Sequence, residues 1–61
     1  KNENDYKLVL KFARTAFKGV LPNTKEYLEV AYRAENEFRE ADVTIIRLAV
    51  SAARREIRDA T

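Results

Sequence analysis

The side chains of this sequence that could do chemistry are carboxylates, guanidinium groups and amines. The 61 residues include 12 Lys or Arg, 10 Asp or Glu, and neither His nor Cys. Two carboxylate pairs, Glu26 with Glu29 and Glu37 with Glu40, are spaced to share a helix face. A carboxylate that acts as an acid or a nucleophile must be partly desolvated to shift its pKa, but basic residues are interleaved with these pairs. We therefore expect no catalytic residue.

Metal and cofactor sites are not expected either. Without Cys and His the chain lacks the usual zinc ligands, the usual general base and the usual pH switch. Its single glycine, Gly19, cannot build a glycine-rich phosphate loop. The sequence predicts a protein that is not an enzyme and that holds no metal and no cofactor.

Basic residues form two lines that are the strongest signal for nucleic-acid binding. They are Lys7, Lys11, Arg14 and Lys18 in one line, and Arg47, Arg54, Arg55 and Arg58 in the other. A recognition helix uses such residues on phosphates and base edges. The formal net charge is only +2, however, and Glu56 and Asp59 interrupt the second line. A small DNA-binding module is therefore an alternative, but nucleic acid is not the partner that we expect.

Long helices must position these side chains, because the composition is rich in helix formers and has one Gly and one Pro. Gly19 suits a helix C-terminus, Asn23 with Glu26 matches a capping box, and Asp42 is a good N-cap. The pattern predicts an all-α, single-domain chain over residues 1–61, an up-down-up three-helix bundle with helices at about 3–18, 24–40 and 43–60. The alternative is one continuous helix from about 24 to 60, which would require a dimer.

The longest uninterrupted apolar run is Leu8-Val9-Leu10. This run is too short for a membrane span or for the core of a signal peptide. We expect a soluble chain without a targeting signal, whose location the sequence does not indicate.

Each predicted helix carries an apolar stripe for a shared core, with members three and four residues apart. The stripes are Tyr6, Leu10, Ala13, Phe17 and Val20; Tyr27, Ala31, Ala34 and Phe38; and Val43, Ile46, Val50, Ala53 and Ile57. Leu8 and Phe12 lie beside the first stripe, and Ile45 and Leu48 lie beside the third. Either so small a bundle needs every apolar group in its core, or this surplus meets a partner.

The second alternative predicts a protein-binding site centred on the first helix. It comprises two apolar anchors, two residues that allow close approach, a basic rim and two secondary contacts: Leu8 and Phe12; Thr15 and Ala16; Lys11 and Arg14; Ile45 and Leu48. The surplus facets are offset in the same rotational sense, so they need not share one surface. Phe12→Ala should weaken binding by about 2 kcal/mol or more with little loss of stability, because a hot-spot anchor is exposed in the free protein.

The whole chain resembles computationally designed three-helix miniprotein binders. The likeness lies in its short length, the absence of Cys, Met and His, the capped helices with minimal loops, and extra apolar residues on a charged surface. The stretch Arg14-Thr15-Ala16-Phe17-Lys18, after Leu8-x-x-x-Phe12, looks like helix segments of such binders against growth-factor receptor ectodomains. The resemblance implies an antagonist whose partner is the extracellular domain of a cell-surface receptor. A designed or redesigned bundle with no partner is the alternative.

Overall fold

Three helices make up the fold, and the computed structural model describes residues 2–60. They are α1 (Asn2–Phe17), α2 (Thr24–Glu37) and α3 (Val43–Ala60). No strand occurs in this part of the chain. The all-α prediction is confirmed, whereas Lys1 and Thr61 of the predicted 1–61 domain lie outside the described residues.

The end of α1 is formed by two consecutive residues in the left-handed conformation. Lys18 has φ 54° and Gly19 has φ 74°. The Lys18 amide donates to the Arg14 carbonyl at 3.1 Å, and the Val20 amide donates to the Phe17 carbonyl at 3.0 Å. These bonds satisfy carbonyl groups that a helix end leaves open. The helix stops at Phe17, one residue before the predicted position.

The predicted capping box at the start of α2 is present. The Glu26 amide donates to Asn23 Oδ1 at 2.8 Å, and the Asn23 amide donates to Glu26 Oε1 at 3.2 Å. Two amides that the helix itself leaves without a partner are thus satisfied reciprocally.

The end of α2 corrects the prediction, since this helix stops at Glu37 and not at residue 40. Phe38 leaves the helical region with φ −113° and ψ 58°, although its amide still donates to the Ala34 carbonyl at 2.8 Å. Asp42 then begins α3, because its Oδ1 accepts the Thr44 amide at 2.7 Å. One continuous helix from 24 to 60 is therefore wrong.

Pairs of neighbouring side chains give the directions of the helices. Between α1 and α3, Tyr6 and Ile45 line one depression and Arg14 is hydrogen-bonded to Glu56; between α2 and α3, Tyr27 is hydrogen-bonded to Ser51 and Arg47 to Glu35. Residue numbers rise together in the first two pairs and in opposite senses in the last two. The first and third helices are therefore parallel and the second is antiparallel to them, which confirms the up-down-up bundle.

The core is made of small and branched apolar side chains. Its buried members are Val9, Ala13, Phe17, Val30, Ala31, Ala34, Ile46, Ala49, Val50 and Ala53. The alanines let the helix backbones approach closely. Val20 and Val43, which the stripes assigned to the core, are both largely exposed. The physical reason is their position, because Val20 lies beyond the last turn of α1 and Val43 is the first residue of α3.

Candidate protein-binding face

The two sides of α1 face different helices. On one side the Phe12 ring lies edge-on to the Phe38 ring, with centroids 5.7 Å apart and planes at 85°. On the other side Arg14 reaches Glu56 of α3. The side of α1 that carries Phe12 therefore adjoins the end of α2, a point that the apolar pattern alone had left open.

A groove of 320 Å³ between α1 and α2 brings five of the eight predicted site residues together. Its lining consists of Leu8, Lys11, Phe12, Thr15, Ala16 and Arg33. The Thr15 hydroxyl donates to the Lys11 carbonyl at 3.0 Å, so this polar group is satisfied within its own helix. The groove is consequently lined mainly by apolar atoms, with two cations at its margin.

The two predicted anchors differ in burial. Leu8 is 51% exposed, whereas Phe12 is half-buried and packs against the core. The guanidinium carbon of Arg33 lies 5.7 Å from the centroid of the Phe12 ring, which is the geometry of a cation–π contact. The expectation that Phe12 is an exposed anchor is therefore wrong. Leu8 is the exposed side chain and Phe12 is part of the groove floor.

The groove continues toward the connection between α1 and α2. A second depression of 470 Å³ shares Ala16 and Arg33 with the first and is also lined by Val20 and Tyr32. Val20 is 66% exposed. Sequence reasoning missed Val20 and Arg33, although the position of Val20 directly after Gly19 was a signal that it lies outside the helix.

We call the combined surface the α1–α2 face. It includes Leu8, Lys11, Phe12, Thr15, Ala16, Val20, Tyr32 and Arg33, with Glu26 and Glu29 at the end beside Val20.

The secondary contacts predicted on α3 do not join this face. Ile45 is half-buried in a different groove, beside Tyr6 and Lys7 of α1. Leu48 is 55% exposed and does not line the groove that contains Leu8. The rotational offset of the surplus facets thus separates them, as the helical geometry suggested.

Arg14, predicted at the rim, is instead engaged with α3. Its Nε donates to Glu56 Oε1 at 2.8 Å and its Nη2 donates to Glu56 Oε2 at 2.7 Å. These hydrogen bonds, together with the attraction between the two opposite charges, lower the pKa of Glu56 and raise the pKa of Arg14. The basic rim of the face is therefore formed by Lys11 and Arg33.

The described residues offer little besides apolar contact and charge. Residues 2–60 contain no group of three or more His, Cys, Asp or Glu that could hold a metal ion. None of the three described helices is both long and apolar enough to cross a membrane. The chain matches no protein-family model, and no curated protein and no solved structure matches it significantly.

Proposed function

We propose that this chain is a non-catalytic binding protein that presents the α1–α2 face to another protein. The observation that carries the proposal is the exposure of large apolar side chains along one groove: 51% for Leu8 at one end and 66% for Val20 at the other. When a partner removes such side chains from water, the free energy of the complex falls, so their burial favours binding. Lys11 and Arg33 at the margin are typical of the polar rim of an interface.

The partner that we propose is the extracellular domain of a growth-factor receptor, in keeping with the resemblance to designed miniprotein binders. A stable interface buries about 800 Å² on each partner, which is a large share of so small a bundle. Occupancy of a receptor surface of that size blocks a natural ligand that uses the same surface. The proposed activity is therefore competitive inhibition without chemistry.

The test is binding of wild type, Leu8→Ala and Leu48→Ala to a panel of growth-factor receptor ectodomains by biolayer interferometry. The two variants are matched, because each removes the same atoms from a leucine that is about half exposed, on different surfaces. We expect Leu8→Ala to raise the Kd by about tenfold or more, since the variant loses an anchor that the partner buries in the complex. Leu48→Ala should change the Kd by less than about twofold.

Two outcomes would contradict the proposal. If Leu48→Ala weakens binding as much as Leu8→Ala, the α1–α2 face is not the interface. If no ectodomain binds, the receptor class is wrong. A DNA duplex in the same assay tests the nucleic-acid alternative, which requires an affinity that falls steeply with salt.

A further inference from the structure

We propose that the α1–α2 face accepts an amphipathic helix of the partner, with carboxylates flanking the apolar side chain that lies over Leu8 and Phe12. This inference rests on the proposed function and adds the chemistry of the docked segment. It is carried by the shape of the groove, by its apolar floor and by the sign of the charge at its margin.

The shape of the groove suits a helix. Of the three pairs of helices, α1 and α2 pack least extensively, and a groove runs between them. From Leu8 to Ala16 it follows α1 for about 12 Å, and the depression beside Val20 lengthens it to accommodate about three turns of a docked helix. A helix that lies in such a groove presents anchors at every third or fourth residue.

The floor of the groove is apolar and already in place. Phe12 is held by the Phe38 ring on one side, and the Arg33 guanidinium lies over it. Ala16 is small, so a large apolar side chain of the partner can approach the backbone of α1. A preorganised floor loses little conformational entropy on binding. The docked helix therefore needs a leucine or an aromatic residue at this point.

Charge at the margin selects the flanking residues. Lys11 and Arg33 line the groove around Leu8, and no carboxylate of the described residues lines it. Within residues 2–60 neither cation forms an ion pair. Carboxylates on the docked helix would face both cations, whereas lysines there would be repelled.

The charge changes sign along the face, which limits where those carboxylates belong. Glu26 and Glu29 line the depression beside Val20. Complementarity to a carboxylate is therefore confined to the end of the groove that contains Leu8. The proposal accordingly places the acidic flank at that end of the docked helix.

The experiment uses two synthetic helical peptides with the same apolar stripe, one with glutamates and one with lysines beside its central anchor. Each is titrated into the isotope-labelled full chain at low salt, and amide chemical shifts are followed. We expect the glutamate peptide to bind about tenfold more tightly, with shifts concentrated around Leu8, Lys11 and Arg33. Lys11→Glu should abolish this preference. Arg55→Glu, the same change of charge on α3, should not, because Arg55 lines a separate depression with Ser51 and Arg54.

Several results would overturn the inference. The lysine peptide could bind as tightly as the glutamate peptide, or Arg55→Glu could have the same effect as Lys11→Glu. Sedimentation could show a dimer that Leu8→Ala dissociates, which would make a second copy of this chain the occupant. If neither peptide binds while a receptor ectodomain loses affinity on Leu8→Ala, the proposed function stands and only the acidic helix is wrong.

Discussion

At the residue scale, the end of α1 contains the most unusual backbone in the chain. Lys18, with φ 54°, is the one residue other than glycine in the described chain with a positive φ. A side chain in this region costs about 1 kcal/mol or more because Cβ approaches the carbonyl oxygen. Gly19 follows with φ 74°, and a Cβ placed there would meet no atom within 4 Å. A larger residue at Gly19 would therefore lose stability because of its backbone conformation and not because of a steric clash.

Two substitutions at this turn should change stability in opposite directions. Gly19→Ala should lower the free energy of unfolding by about 1 kcal/mol, because alanine resists the left-handed region. Lys18→Gly should raise the free energy of unfolding by about 0.5 kcal/mol. Removal of the strained side chain stabilises the folded state by more than the added flexibility of glycine stabilises the unfolded state. Urea unfolding followed by far-UV circular dichroism measures both. A neutral Gly19→Ala would show that the turn adopts another conformation.

At the scale of the elements, Phe12 belongs both to the packing of α1 on α2 and to the proposed face. Its edge-on contact with Phe38 closes the bundle at the point where α2 ends. Leu8, one turn earlier on α1, lines the groove but contributes little to the packing of the helices, since half of its surface is in water. Substitution of Phe12 should therefore affect mainly the stability of the bundle, and substitution of Leu8 mainly the binding of a partner.

We expect Phe12→Ala to lower the free energy of unfolding by about 2 kcal/mol, about half of the cost for a fully buried ring. Leu8→Ala should change it by less than about 0.5 kcal/mol. Urea unfolding of both variants checks the difference. A double-mutant cycle with Phe38→Ala should give a coupling of about 1 kcal/mol for the ring pair. If Phe12→Ala costs no more than Leu8→Ala, the ring is an exposed surface anchor and not part of the packing between α1 and α2.

At the scale of the whole molecule, the Arg14–Glu56 pair connects α1 to α3 through two residues that are 42 positions apart in sequence. Both side chains are about half exposed, with 54% and 46% of their surfaces in water. Water and salt therefore weaken the attraction between them. The pair therefore helps to orient α1 relative to α3 but contributes little to the free energy of unfolding.

This pair predicts how stability depends on pH. Because the Arg14 guanidinium lowers the pKa of Glu56 in the folded state, its contribution is present above the ordinary carboxyl pKa of about 4.3. It is lost as the pH falls through the lower pKa of the folded protein. Glu56→Gln should therefore be less stable than wild type at neutral pH and equally stable in strong acid, and the difference should shrink in high salt.

Urea unfolding across acidic and neutral pH, for wild type and Glu56→Gln, measures this dependence. Glu40→Gln is the matched control, because Glu40 is exposed and forms no ion pair in the described residues. A destabilisation by Glu56→Gln that persists unchanged in strong acid would show that the hydrogen bonds to Arg14 are not the cause.

The helices and most of their ends could be predicted because the interactions that define them are local. The capping box of Asn23, the N-cap at Asp42 and the left-handed Gly19 each depend on residues within one turn. The early end of α2 could not be predicted in this way. Phe38 leaves the helix where its ring meets Phe12, a residue of another helix, and no local pattern encodes that contact.

The sequence by itself determined that the chain has a surplus of apolar residues and that Leu8 belongs to this surplus. Only the tertiary structure decided which helix adjoins Leu8, that Phe12 is half-buried and that Arg14 faces away from the groove. The reason is geometric. Helical periodicity defines the angle between two facets of one helix, but a bundle of either hand buries the same three stripes. The neighbour of each remaining facet therefore depends on the packing of all three helices together.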